Sequence, residues 1–227
     1  MTTGTVENLE LLVREALRGL APLDADAPAQ LALYASELLK WNQRVNLTAI
    51  TAPEEVVEKH LVDSLAVLPE LDALQPRTVL DLGAGAGLPG IVWAIARPSL
   101  HLTLVDAVAK KVAFLKAVSA RLGLAPRVRA THVRLGGQPA LERLEPAQVV
   151  VSRAFMDLDG WLDLARPYVA TDGAVMAMTG RHLGSTDLEL IGQTHRYRLR
   201  SSRQFRLPRS GDERGVSVWV PHEPRDP

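Results

Sequence analysis

Thr78-Val-Leu-Asp-Leu-Gly-Ala-Gly-Ala-Gly-Leu-Pro-Gly90 is the stretch on which the fold turns. A short apolar, β-branched run ends on Asp81. Glycines then alternate at Gly83, Gly85 and Gly87, and Pro89 opens a helical pattern. Glycine there lets the backbone turn tightly and approach a ligand closely, with the next helix aimed at it. Strand, glycine loop and helix in that order form a nucleotide-type cofactor loop.

The residue ahead of the loop bears on which cofactor it holds. A dinucleotide places its anionic pyrophosphate where backbone N–H groups and the helix dipole favour negative charge. Asp81 stands two positions before the first glycine. Its carboxylate would repel that anion and attract the ammonium group of S-adenosylmethionine, which also carries a cationic sulfonium. The loop therefore reads as a methyl-donor site built on Asp81, Gly83, Gly85 and Gly87. Gly85-x-Gly87-x-x-Gly90 also matches the dinucleotide fingerprint. That fingerprint wants its first glycine directly after the strand, whereas Asp81-Leu82-Gly83-Ala84 intervenes. A merely structural turn is the third reading. His101–Asp106 reads as the next strand, ending in an acid 19 positions after Gly87. Such an acid accepts ribose hydroxyls in either cofactor. Alternatively, Asp106 caps a helix over Ala107–Leu122.

The chain has 227 residues, 47% hydrophobic and 23% charged, ordinary for a soluble protein with a substantial core. No apolar run approaches the ~18 residues of a membrane span, and the N-terminus lacks a signal-peptide shape. Cysteine is absent. Disulfides and Cys-based zinc sites are therefore excluded, no metal site is expected, and a cytoplasmic location fits. Methylation of a pyrimidine C5 through a cysteine adduct is excluded as well.

Net charge is zero, but residues 1–75 hold 12 acidic and 5 basic side chains, and the remainder is basic. Arginine supplies most of that excess. Arg196, Arg198, Arg200, Arg203, Arg206 and Arg209 follow one another without an acid, interleaved with Tyr197 and Phe205. Arginine forks match phosphate oxygens and stack on bases. Arg196, Arg198 and Arg200 would share one face of a strand and, with Arg203 and Arg206 following, form an RNA track, or simply a solvated face.

Two amphipathic helices are expected at Val6–Leu20 and Ala29–Val45, separated by a turn over Leu23–Pro28, and a third from Pro53 to about Leu68. Strand-like runs follow at Thr78–Leu82, His101–Val105, Val128–Val133, Gln148–Ser152 and Gly173–Thr179, mostly with helices between them. His195–Leu207 and Gly215–Val220 have no helix between them and read as a closing antiparallel pair. The expectation is an α/β, doubly wound, seven-stranded and mainly parallel sheet of the class I S-adenosylmethionine-dependent methyltransferase type. A single domain over 1–227 would comprise a helical cap (1–75) and a Rossmann-like core (76–227).

Trp41-Asn42, Asn46-Leu47-Thr48, His60 with Asp63-Ser64, the Gly83 to Gly90 loop with Leu88-Pro89, and Ser152-Arg153-Ala154-Phe155 occur in one order. Together they resemble the bacterial ribosomal RNA small subunit methyltransferase G family, convincingly over roughly residues 30–180. The resemblance implies methyl transfer from S-adenosylmethionine to N7 of a guanine in 16S ribosomal RNA. It also implies donor contacts at Gly83 and Leu88, at Val133 and Arg134 beside the adenine, and at Arg153. The partner would be 16S ribosomal RNA or the small ribosomal subunit, and the chain a monomer.

Arg153 follows a central strand at the carboxyl end, where ligands bind in open α/β sheets. It would position donor or guanine; the alternative is a surface ion pair. His60 is either a site residue or a satisfied helix residue bonded to the Asn46–Thr48 loop. Three positions depart from the family pattern. Met178-Thr179-Gly180 replaces Leu-Lys-Gly, with Arg181 two positions on as an RNA-contact candidate. Arg134 replaces a common Glu, and the tail ends Val-Trp-Val-Pro-His-Glu-Pro.

The acceptor chemistry is consistent with this. Guanine N7 carries a lone pair and no proton, so alignment and electrostatics suffice without a general base. No Asn/Asp-Pro-Pro-Tyr follows strand four, and no Lys-Asp-Lys-Glu set is evident. Two rivals remain from sequence: a methyltransferase for a small molecule or protein, and a non-catalytic RNA-binding protein that retains the fold.

Overall fold

Apolar residues occupy both faces of β1 (Thr78–Leu82): Val79 packs on one side of the sheet, Leu80 and Leu82 on the other. A strand buried on both faces belongs at the middle of a parallel sheet covered by helices. The computed structural model describes residues 3–20, 22–136, 138–153, 157–179, 189–191 and 196–222. The remaining strands are β2 (His101–Asp106), β3 (Val128–His132), β4 (Ala147–Arg153), β5 (Val169–Thr179), β6 (Glu189–Ile191), β7 (Arg196–Arg206) and β8 (Glu213–Pro221). Their order across the sheet is β3-β2-β1-β4-β5-β8-β7-β6. The first five are mutually parallel, β8 is antiparallel to β5, and β7 is antiparallel to β8.

All seven expected strands form. The sheet also gains β6, three residues that pair antiparallel with β7. A strand of that length carries no periodicity and exists only through its ladder. His195, expected at the start of the sixth strand, lies outside the described residues, as do Gly180 and Arg181.

Helices cover both faces. Leu9, Leu31, Leu65, Trp93, Phe114 and Val216 share one apolar cluster, so the N-terminal helices and the sheet have a common core. Leu80, Val150, Trp161, Tyr197 and Trp219 build the layer on the opposite face. The first helix is Thr3–Ala16, and the second begins at Ala27, inside the expected turn. Pro28 does not prevent that start, because a first-turn proline has no lost N–H bond and a suitable φ.

The third helical stretch, 53–66, passes through a π-turn at Val57–Val62. Glu58, His60 and Asp63 are all buried along it. Turns of this kind are rare and recur at functional sites.

Candidate active site

The carboxyl ends of β1, β2, β4 and β5 converge with the 53–66 helix. Val105 C=O, at the end of β2, accepts hydrogen bonds from both Gly83 N–H and Ala84 N–H, each at 2.9 Å. Asp106 latches the loop: Oδ2 accepts from Gly85 N–H (3.0 Å) and Oδ1 from Val108 N–H (2.8 Å). The helix after β2 is capped at Val108 with no side-chain bond, so Asp106 is not its N-cap. A carboxylate offers about four lone-pair positions, which leaves Asp106 capacity for ribose hydroxyls.

Gly83, Gly85 and Gly87 all take positive φ, at 75°, 58° and 89°. Their roles separate on space. A Cβ on Gly85 would meet nothing closer than 3.8 Å, so this glycine borders an open cradle. A Cβ on Gly87 would lie 2.6 Å from Ile91 Cγ1 and 2.9 Å from Leu115 Cδ2. Gly87 N–H is spent on Ala84 C=O (2.7 Å), so Gly87 serves the packing beneath the cradle. Leu88 is buried in the main apolar cluster and precedes a cis peptide to Pro89. Val133 is buried, its N–H bonded to Asp106 C=O (3.2 Å), and Arg134 is exposed beside it.

Asp81 is wholly buried. Oδ2 accepts from Gly90 N–H at 3.0 Å, while Oδ1 has no partner among the described residues. Burial pushes its carboxyl up to about 7, against the Gly90 bond and the Arg153 charge, with Asp106 adding to the rise. An orphaned buried oxygen beside a glycine cradle suits an ammonium group, and the donor set fits S-adenosylmethionine. Because that cation binds the ionised carboxylate, donor affinity should climb as pH rises from 5.5 through about 7. Calorimetry across that range should show this rise in the parent protein. Asp81→Asn should bind more weakly at every pH and without the slope.

Sequence reasoning missed Tyr34. It reads as one more apolar position on the second helix, yet its hydroxyl donates to Ala86 C=O at 2.7 Å, holding the glycine loop from the cap side. Burial pushes this phenol above its usual range, so it remains a donor. No local signal distinguishes such a tyrosine from core, since its partner lies 52 residues away.

Arg153, at the end of β4, points into the cap. One guanidinium nitrogen donates to Lys59 C=O (3.1 Å) and to Asp63 Oδ2 (3.3 Å), and both terminal nitrogens lie 3.4 Å from His60 Nδ1. The ion pair foreseen for Arg153 therefore exists, but inside the site. Arg214 Nε reaches the other Asp63 oxygen at 3.4 Å. Ile50, Lys59, His60, Asp63, Arg153 and Arg214 line a cavity of about 340 Å³ that β5 closes with Met178 and Thr179.

His60 is held as its bland alternative requires. Nε2 meets Thr48 Oγ1 at 2.9 Å, and Nδ1 lies 3.0 Å from Lys59 C=O. Asn42 fixes that loop in turn, accepting from Leu47 and Thr48 N–H and donating to Thr48 C=O. Burial, then the Arg153 charge, brings the His60 pKa down to about 4, so the ring is neutral at pH 7.

The arginine strand divides. Arg196 and Arg198 are exposed while Tyr197 between them is buried, as alternation requires. Gly215 faces Thr179 at the carboxyl end of β5, and β7 pairs Gln204 with Gly215 but Tyr197 with Pro221. Arg196 and Arg198 thus sit at the sheet end opposite the cavity. The ladder shifts register between Leu199 and Ser201, and Arg200 turns to Ala73 C=O at 3.3 Å. Arg203 binds both Glu70 oxygens (2.6 and 2.9 Å), and Arg206 pairs with Glu213. A continuous five-arginine track is therefore not built, because intramolecular partners capture the later members. Arg181 lies outside the described residues.

A sequence profile for rRNA small subunit methyltransferase G matches residues 27–213. The protein of that name from Myxococcus xanthus (strain DK1622) is 54% identical over 198 residues, covering 86% of this chain and 89% of the relative. The chain belongs to the rRNA small subunit methyltransferase G family. The homologue from Anaeromyxobacter sp. (strain Fw109-5) is 48% identical over 89% of this chain and 94% of its own length.

Solved structures share the fold at low identity. An O-methyltransferase from Bacillus cereus, in complex with SAH, has a TM-score of 0.55 at 16% identity, covering 95% of this chain and 100% of that one. The METTL16 MTase domain has a TM-score of 0.58 at 12% identity, covering 95% and 92%. This member of the methyltransferase G family is an S-adenosylmethionine-dependent methyltransferase with the class I fold. The family match extends past the stretch where sequence resemblance is convincing, to include the turn that carries Arg209 and Asp212. Two backbone N–H groups of that turn, of Arg209 and Ser210, donate to Glu58. Where the family commonly has lysine, Thr179 stands beside Gly215, and Arg214 brings a guanidinium to the cavity from the neighbouring strand. Among the described residues no group of three or more His, Asp or Glu is placed to hold a metal, and no helix is long and apolar enough to cross a membrane.

Proposed function

We propose that this methyltransferase modifies N7 of a guanine in 16S ribosomal RNA, in the cytoplasm, as a monomer. The observation that carries the reading is the state of the cavity wall. His60 is neutral and engaged at both ring nitrogens, Lys59 is held more firmly cationic by Glu55, and Arg153 and Arg214 are permanent cations. Asp63, the carboxylate of that wall, faces both arginines, so the wall is arranged to hold charge and to position a base rather than to strip a proton from a ribose hydroxyl or an exocyclic amine. Guanine N7 has no proton to lose.

Bound S-adenosylmethionine supplies a methyl group on a cationic sulfur, so transfer to N7 moves positive charge to the ring without proton exchange. The chain's part is placement. Asp81 would hold the donor's ammonium end and Asp106 its ribose, with Gly83, Gly85 and Leu88 shaping the cradle and Val133 and Arg134 flanking the adenine. Tyr34 fixes the loop. Arg153 orders the cavity, and its charge helps keep His60 neutral.

The test is donor-dependent methylation of deproteinised 16S ribosomal RNA and of intact small subunits. The product should be an alkali-labile N7-methylguanine, cleaved by aniline after borohydride reduction. Methyl incorporation without such cleavage overturns the reading. Incorporation into a small molecule or protein but not RNA supports the rival class.

Arg196 and Arg198 would add peripheral phosphate contacts, and Arg181, outside the described residues, is a further candidate for an RNA contact. Replacing both Arg196 and Arg198 by glutamine should reduce the salt slope of RNA binding by about 1.5, given roughly 0.7–0.9 per phosphate contact. Donor affinity and kcat should stay unchanged. Binding measured at three salt concentrations decides, and an unaltered slope returns the strand to a solvated face.

A further inference from the structure

We propose that the cavity between the 53–66 helix and the ends of β4, β5 and β8 is the acceptor-base site, and that Asp63 reads the target guanine through its N1–H and N2–H₂ edge. This rests on the guanine-N7 reading above.

Asp63 lines the cavity although its side chain is only 6% exposed. Among the described residues each carboxylate oxygen has one long ion contact, 3.3 Å to Arg153 and 3.4 Å to Arg214. With about four lone-pair positions, the group retains room for two more donors. Burial keeps its pKa above the usual carboxylate value despite both arginines, so the charge is incompletely compensated. A pair of parallel N–H donors is what such a carboxylate lacks.

Guanine is the common RNA base with two adjacent donors on its Watson–Crick edge. Adenine places an acceptor at N1, which would face the carboxylate repulsively. N7 lies on the other side of the ring system, so anchorage at Asp63 leaves it bare. The frequent alternative, an arginine fork across O6 and N7, would cover the nucleophile. Here Arg153 is engaged by Lys59 C=O and Asp63, and Arg214 by Glu213 C=O, Asp212 and Asp63. Ile50 and Met178 supply apolar wall for a ring, and about 340 Å³ suits a small-molecule site. Asp81 pairs with Val151 in the sheet, two residues before Arg153 at the end of β4, so the cavity lies beside the donor cradle.

The experiment compares guanine with inosine, which lacks only the N2 amino group. The target is first mapped by aniline cleavage with the parent enzyme, and ligated RNA carrying inosine at that position is then prepared. Single-turnover kcat/KM should favour guanine by about 10- to 100-fold in the parent, as expected for one lost bond to a charged acceptor. In Asp63→Asn the preference should collapse to within about twofold, while Asp63→Glu should retain a preference. A purely structural Asp63 would lower both rates together and leave the ratio at the parental value, overturning the proposal. If Asp63→Asn does not fold, the parent and Asp63→Glu ratios decide, and no preference in the parent overturns it equally. Absence of N7 cleavage on the guanine RNA is the distinct failure of the underlying reading.

Discussion

Arg153→Lys should lower kcat for RNA methylation by about 100-fold while the protein stays folded, and Arg153→Ala should lose more. Replacing a preorganised charged group at a reacting centre typically costs about 10²–10³ in kcat. Arg153 simultaneously serves Lys59 C=O and Asp63 and borders His60, a geometry that needs a planar fork. A lysine ammonium reaches one of these partners, not the set. Donor affinity, read by calorimetry, should fall by less than about tenfold, because Asp81, Asp106 and the glycine loop remain. A second readout separates positioning from general damage. The Arg153 charge contributes to the depressed pKa of His60, so Arg153→Ala should move the His60 titration upward in an NMR experiment. Burial, the larger cause, persists and prevents a full return. Parental kcat in Arg153→Lys would remove the residue from the site.

Gly87→Ala and Gly85→Ala should behave oppositely although the two glycines are two residues apart. At Gly87 the added methyl group meets Ile91 and Leu115 within 2.9 Å, at a φ of 89°. Overpacking and backbone strain together should destabilise the protein by about 2–5 kcal/mol, lowering the urea midpoint. At Gly85 the φ of 58° is that of an ordinary left-handed residue, and the methyl group enters open space. The stability cost there should be only about 1–2 kcal/mol, with donor affinity taking the larger loss because the cradle is filled. Urea melts paired with donor titration check both arms. Equal destabilisation by the two substitutions would show that the cradle assignment is wrong.

Asp81, the alternating glycines and Asp106 were legible because their geometry is local. A parallel strand must be apolar on both faces, a tight loop needs positive φ, and an acid at the end of the adjacent strand lies beside that loop. The residues from Thr78 to Asp106 therefore announce both the fold and its cofactor class. Arg153 was legible for the same reason, from its position at the end of β4 alone.

What tertiary structure decided are the partners of side chains whose neighbours lie far along the chain. Tyr34 looks like core until Ala86 C=O is found 52 residues away. The π-turn at Val57–Val62 has no distinct apolar period, yet Glu58 and His60 are buried along it and Asp63 directly after it. Arg203 looked like part of an RNA track until folding brought Glu70 to it, and β6 exists only because β7 offers it a ladder. Periodicity and loop chemistry act over a few residues and determine elements. Charge pairing and burial act through space, so only the folded chain determines which cations remain for RNA and which close the cavity around Asp63.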